Sequence, residues 1–217
     1  MLNRRRFLLS SAFLSSVAVP AWAAQTKPRT AKAAAKTPPE PPEPTTPAQT
    51  PIGPVDTAAR WALIIDYTTG ATLLEKSADE EMTPSSLTKL MTAYIVFGML
   101  KAGRFKLDQD LPVSEKAWRM GGSKMFVQIG TQVKVEDLIR GMIVQSGNDA
   151  CIVLAEGVAG SEEQFAELMN QKAKQLGMTH SHFLNSTGWP EPGHVMSVRD
   201  IATLCTHIIR DFPEYYK

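Results

Sequence analysis

Serine and lysine three positions apart on a helix share one face. The tetrad Ser86-Leu87-Thr88-Lys89 therefore sets a hydroxyl beside an amine. Sixty positions later comes Ser146-Gly147-Asn148, a second hydroxyl followed by an amide. A serine hydroxyl is inert at its own pKa and needs a base. A lysine serves once its surroundings keep it neutral. Bringing a lysine from about 10.4 to about 7 takes on the order of 4 to 5 kcal/mol, which only a dry, built site supplies. The chemistry these residues offer is nucleophilic catalysis through Ser86, with Lys89 as its base. Either motif alone is weak, since an SxxK arises about once by chance in a chain of this size. Here Ser86 is the only serine with a lysine three on, and Ser146 the only one with an asparagine two on.

The elements that must hold these residues can be read around them. Thr83-Pro84-Ser85 leads into the helical apolar series Leu87, Leu90, Met91, Tyr94 and Ile95. Ser86 thus falls in a first turn, where unpaired backbone N–H groups and the helix dipole favour an oxyanion. Arg60 to Asp66 and Ala71 to Glu75 read as strands joined by the turn Thr68-Thr69-Gly70. The rest is mainly helical: Ser86 to about Lys101, Ser114 to Met120, Glu136 to Val144, and Asn148 to Val158. Ser161-Glu162-Glu163-Gln164 and Ser197-Val198-Arg199-Asp200 open two more helices as capping boxes, the first stopping at Gly177 and the second near Arg210. One hairpin among so many helices makes an unfinished sheet, because an isolated hairpin is only marginally stable.

Composition divides the 217 residues into three parts. Residues 1–23 have the form of a secretory signal peptide: basic Arg4-Arg5-Arg6, an apolar run from Phe7 to Val19, and the cleavage pattern Ala21-Trp22-Ala23. Arg4-Arg5-Arg6-Phe7-Leu8 is also compatible with the twin-arginine export route, and the Sec route stays open beside it. Residues 24–57 form a linker rich in Pro, Ala, Thr and Lys, holding nine of the fifteen prolines and too few apolar side chains to repay ordering. Residues 58–217 form the folded domain. It carries 16 Lys and Arg against 19 Asp and Glu with no basic block, which speaks against nucleic acid as a partner.

Other polar residues carry blander readings. Cys151 and Cys205 lie in apolar helical series and read as free buried thiols. His180 and His182 have a metal-like spacing without a third ligand nearby, so no metal is expected; His194 and His207 carry no signal. Gly121-Gly122-Ser123-Lys124 lacks the full spacing of a phosphate loop.

The two motifs, with a later lysine-Thr-Gly strand, form the signature of penicillin-binding proteins and serine β-lactamases. Residues 58–217 further resemble the low-molecular-mass D-alanyl-D-alanine carboxypeptidases. The likeness lies in Leu63-Ile64-Ile65-Asp66, Thr83 to Leu90, Gly122 to Phe126, Leu138 to Ala150 and His182 to Gly188. The resemblance implies an α/β fold of the penicillin-binding protein and β-lactamase type, a helical subdomain plus an antiparallel sheet, with the sheet incomplete in this chain. No Lys-Thr-Gly occurs in the sequence. The expectation is therefore a chain truncated before that motif, with any C-terminal membrane anchor also lying in a segment not present.

The resemblance implies that Ser86 attacks the carbonyl of the penultimate D-alanine of a peptidoglycan stem peptide, that Lys89 accepts its proton, and that Ser146 relays a proton to the departing D-alanine. Asn148 is implied to hold Lys89 and the substrate amide, and Lys124 to line the cleft. β-Lactam antibiotics are implied to acylate the same serine. No cofactor is needed, and the place of action is the periplasm or the wall side of the cytoplasmic membrane. Two alternatives remain. A β-lactamase is disfavoured by Gly147, where the class A pattern has aspartate, and by the lack of an ExxxN loop. A non-catalytic wall-binding relative gains weight if the natural chain ends at Lys217.

Overall fold

The computed structural model describes residues 48–55 and 57–216. The signal-peptide reading and most of the linker reading lie outside the described residues.

Two apolar strands bounded by turn residues form the expected hairpin. β1 (Ala62–Ile65) pairs antiparallel with β2 (Thr72–Lys76), Ala62 opposite Lys76 and Ile64 opposite Leu74. Its turn is built by Asp66, whose Oδ1 accepts from the Thr69 N–H at 2.7 Å and the Thr69 hydroxyl at 2.8 Å. Gly70 takes the left-handed φ of 73° that closes the turn. Residues within the segment read as linker add to this hairpin. Ala48 and Val55 exchange backbone hydrogen bonds of 2.9 and 2.8 Å, and Gln49 adds a rung of 2.7 and 2.8 Å to Glu75. Prolines 51 and 54 permit this because they sit in the tight return rather than on the paired positions.

A second ladder was not expected. β3 (Asp110–Pro112) pairs antiparallel with β4 (Gln132–Lys134). Three-residue strands are too short for alternation to show, and what anchors this pair is one side chain, the buried Leu111. It reaches the helix behind it at Gly157, where a β-carbon would fall 2.7 Å from Leu111 Cδ1.

The helices are α1 (Lys89–Lys101), α2 (Glu115–Arg119), α3 (Val135–Gln145), α4 (Asn148–Ala159), α5 (Glu162–Gln175) and α6 (Val198–Asp211). Helix α4 is buried from Asn148 to Ala155 and packs against α1, α2, α3, α5 and β3, so it is the axis of the core. Helix α1 is apolar nearly all round, as a helix enclosed by neighbours must be. By contrast α6 is two-faced and lies across α1 and β1. Its end is locked by rings: Tyr94 meets Phe212 edge-on at 5.0 Å, and Phe97 stacks on Tyr215 at 5.1 Å.

The N-cap serines read from sequence accept the bonds that start both helices. Ser161 Oγ accepts from the Gln164 N–H at 3.2 Å, and Ser197 Oγ from the Asp200 N–H at 3.1 Å. Such caps contribute about 1 kcal/mol each. Before α6 the chain is pinned twice: Met82 and Met196 exchange backbone bonds of 2.9 and 3.0 Å, as do His182 and Val195. These bridges carry residues 182–196 under the turn that precedes α1.

Candidate active site

Ser86 does not open the α-helix itself. It lies in a 3-10 turn, Ser85–Thr88, that feeds α1. The turn starts from Ser85 at φ 48°, a left-handed residue held from beneath by Gly188. Lys89 then begins α1, and its amine returns to Ser86: Nζ lies 3.0 Å from Ser86 Oγ. Its other contact is the Thr187 carbonyl, 2.8 Å away.

Lys89 is buried, with 7% of its surface exposed. Burial pushes its pKa below the ordinary lysine range, while the Cys151 sulfur would push it up if ionised. It is not ionised at working pH, because burial raises the Cys151 thiol to about 12. Desolvation is therefore the leading influence on Lys89. A neutral Lys89 can accept the Ser86 proton on its lone pair and donate N–H to Thr187 O.

The third group arrives from another helix. Helix α3 ends at Ser146, which takes a left-handed C-cap conformation, φ 54° and ψ 36°. This turn reverses the chain into α4 and aims Ser146 Oγ at Ser86 Oγ, 3.0 Å away. Ser86 Oγ is thus flanked by an amine and a hydroxyl at equal distance, and an apolar cleft of about 540 Å³ opens beside it. Leu87, Leu90, Met142, Ile143, Cys205 and Ile208 contribute to its lining.

Asn148 is turned towards the 121–123 loop. Its Nδ2 donates to Gly121 O at 2.9 Å and its backbone N–H to Ser123 O at 2.8 Å, so its amide nitrogen ties down the 121–123 loop rather than Lys89. The hold on Lys89 falls to the carbonyl of Thr187. Beside Asn148, the buried Asp149 carboxylate accepts from the N–H groups of Met125, Phe126 and Val127 at 2.9, 2.8 and 3.1 Å. Those bonds fix the loop even though Phe126 is left-handed, φ 66°, and 73% exposed. Lys124 is not brought to Ser86: its Nζ donates to the Trp118 carbonyl at 2.6 Å, and it is absent from the cleft lining.

The segment that carries Thr187 is the part sequence reasoning missed. Asn185 Oδ1 accepts from the backbone N–H groups of Thr187, Gly188 and Trp189 at 3.2, 2.8 and 3.0 Å, folding the loop around one side chain. Ser186 is held on both sides. Its N–H and hydroxyl donate to Glu162 Oε1 at 3.0 and 2.6 Å, and its carbonyl accepts from Thr92 Oγ1 at 2.7 Å. Glu162 is balanced by Lys116 at 3.0 Å. The Asn-Ser-Thr-Gly run was a signal of a turn, but nothing in it says that a carbonyl would face a lysine. Among the described residues no cluster of three or more His, Cys, Asp or Glu side chains could hold a metal. Cys151 and Cys205 are free thiols.

A family model described as D-alanyl-D-alanine carboxypeptidase matches residues 45–217. The chain is 45% identical over 174 residues to D-alanyl-D-alanine carboxypeptidase DacC of Escherichia coli K12, covering 77% of this chain and 43% of that one. In three dimensions it resembles the crystal structure of the D-alanyl-D-alanine carboxypeptidase DacD from Francisella tularensis, with a TM-score of 0.71 at 42% identity over 83% of this chain and 41% of that chain. It also resembles penicillin-binding protein D2 from Listeria monocytogenes in its ampicillin-bound form, with a TM-score of 0.63 at 29% identity over 70% of this chain and 62% of that chain. The chain spans less than half the length of the curated relative from Escherichia coli.

Proposed function

The chain belongs to the D-alanyl-D-alanine carboxypeptidase family, and from that membership we propose that it carries the acylating centre of a serine-type enzyme that removes the terminal D-alanine from peptidoglycan stem peptides. The observation that supports this reading best is the convergence on Ser86, whose Oγ has Lys89 Nζ and Ser146 Oγ each at 3.0 Å.

In the proposed reaction the Ser86 hydroxyl gives its proton to neutral Lys89 as Oγ bonds to the carbonyl carbon of the penultimate D-alanine. The negative charge that develops on the carbonyl oxygen is met by the Ser86 backbone N–H in the first turn. Collapse of the adduct breaks the peptide bond, and the proton held by Lys89 passes through Ser146 to the leaving D-alanine nitrogen. Water then attacks the acyl-enzyme. The same centre returns the proton and releases Ser86. Lys89 is suited to both directions because burial favours its neutral form while Thr187 O keeps it aimed. Asn148 acts here by fixing the loop at Gly121 beside the site.

A β-lactam presents a strained amide to the same hydroxyl, and its ring-opened remainder stays attached where the leaving D-alanine would depart. The relative captured with ampicillin makes this the natural probe. We further propose export: residues 1–23 as the signal peptide, residues from 24 as the tether, and action on the wall side of the cytoplasmic membrane. Among the described residues no helix is long and apolar enough to cross a membrane.

The test is covalent labelling. The full chain and its Ser86→Ala and Lys89→Ala variants are incubated with a fluorescent penicillin and resolved on a denaturing gel. A persistent label on the parent, lost in both variants, is the expected result. Equal labelling of the parent and Ser86→Ala would sink the assignment, and rapid turnover of the penicillin without a lasting adduct would point to a β-lactamase instead.

A further inference from the structure

His194 carries no motif, yet it is 2% exposed and joins the two halves of the site. Its Nε2 lies 2.9 Å from Thr88 Oγ1, and its Nδ1 accepts from the Leu184 N–H at 3.2 Å. A backbone N–H can only donate, so Nδ1 must be bare and Nε2 must carry the proton, which it gives to Thr88. The Phe183 ring stands edge-on to the imidazole at 5.8 Å. Thr88, itself fully buried, is the last residue of the turn that carries Ser86 and directly precedes Lys89, the first residue of α1. Leu184 begins the segment that ends on Thr187, the acceptor for Lys89. One ring therefore bonds to both chain segments whose relative position sets the distance between Lys89 and its two contacts.

We propose that His194 is a positioning residue for the nucleophile, a neutral clamp that fixes the Ser86–Lys89 turn against the segment bearing Thr187. The proposal rests on the reading of Ser86 as nucleophile and Lys89 as base. No covalent step passes through His194. Its protonation would set an N–H against the Leu184 N–H and open the clamp. Burial holds the ring below the usual histidine range; Glu191 on its own loop pulls it up, and His182 across the bridge pushes it down. From the nucleophile's turn it meets only the uncharged Thr88 hydroxyl.

Two variants separate clamping from bulk. His194→Leu fills the space and leaves Thr88 Oγ1 and the Leu184 N–H without this partner. His194→Gln offers a carboxamide with a donating NH2 and an accepting oxygen. Three measurements apply to the full chain: the His194 tautomer by long-range proton–nitrogen NMR, the Lys89 titration by NMR of lysine labelled at Cε, and the pH profile of fluorescent-penicillin acylation. The expected results are an Nε2–H tautomer near neutral pH and, in His194→Leu, acylation at least about 10-fold slower per folded molecule, the scale of one or two buried bonds lost. The Leu variant should also move the Lys89 midpoint upward towards an ordinary lysine, and the Gln variant should recover both readouts.

An Nδ1–H tautomer, or a Leu variant with unchanged rate and unchanged Lys89 midpoint, would overturn the proposal. So would Leu and Gln variants equally slow with the Lys89 midpoint unmoved, since that marks mere structural damage. If the Leu variant does not fold, the tautomer and the Gln variant decide. Should the parent fail to label with penicillin, the functional reading falls, while the tautomer and the Lys89 titration still judge the clamp.

Discussion

Gly188 packs on Ser85 so tightly that a β-carbon there would lie 1.7 Å from the Ser85 carbonyl oxygen. The glycine is also left-handed, φ 81°. The contact is backbone on backbone, so neither side can step aside by changing a rotamer. Gly188→Ala is expected to cost at least about 2 kcal/mol, the left-handed penalty of about 1 to 2 kcal/mol plus the clash. Penicillin labelling should fall with it, because Ser85 starts the turn that presents Ser86. Denaturant titration and labelling of the same preparation check both effects.

Ser146 offers a cleaner separation of fold and chemistry. Its backbone is left-handed, φ 54°, a conformation that glycine adopts freely. Ser146→Gly is therefore expected to leave stability within about 1 kcal/mol of the parent while slowing acylation about 100-fold or more through loss of the proton relay. Thermal melts beside stopped-flow acylation decide it; a large loss of stability with normal acylation would contradict the assigned role.

The pH dependence follows from the direction of the Lys89 shift. The base form is the neutral amine, and burial lowers the Lys89 pKa from 10.5. Acylation should rise with pH through that lowered value and level off before the ordinary lysine range. The same group makes a signed contribution to stability. In the window between its folded value and 10.5 the unfolded chain binds the extra proton, so stability contributed by this residue rises with pH there. Below that window the full cost of burying the amine is felt. A profile with its midpoint at an ordinary lysine value would contradict this.

Asp149 should matter without touching any reactant. Its carboxylate receives three loop N–H groups from residues 125–127 and is fully buried. Asp149→Asn replaces one acceptor oxygen with an N–H donor facing another donor, an arrangement expected to cost about 2 to 3 kcal/mol. Hydrogen exchange at Met125, Phe126 and Val127 should accelerate before the rest of the domain is affected.

Cys151 supplies the control. Its thiol is buried behind Lys89 with a pKa of about 12, which leaves it protonated and shielded. Native protein should resist alkylation at Cys151 until it is denatured. Cys151→Ala should cost about 1 kcal/mol, the scale of a small cavity, and leave penicillin labelling largely intact.

The approach of Lys89 to Ser86 is legible in the sequence because helical spacing carries it, and the second motif singles out Ser146. The hairpin and the helices are legible for the same reason: apolar periodicity and caps such as Ser161 and Ser197 mark them. Thr187 is not, since its contribution is a carbonyl, and any residue type supplies one. His194 is hidden because its partners, Thr88 and the Leu184 N–H, come from segments that only tertiary contacts, the Met82–Met196 and His182–Val195 bridges among them, bring together. The β3–β4 ladder escapes notice because three-residue strands leave no alternation to detect. The bond from Asn148 Nδ2 to Gly121 O is not legible, since it depends on how the 121–127 loop folds onto α4.

Two contacts around Ser86 join residues far apart along the chain: 60 positions separate it from Ser146, and 98 separate Lys89 from Thr187. Helix α1 needs only its neighbours in sequence to form, whereas these contacts wait for two long loops to close. During refolding, helical content should return first and the capacity to be acylated last. A partly folded chain therefore displays a serine and an ordinary charged lysine with no reactivity between them. The separation in sequence works as a safeguard in time, withholding the nucleophile until the domain that governs its access is complete.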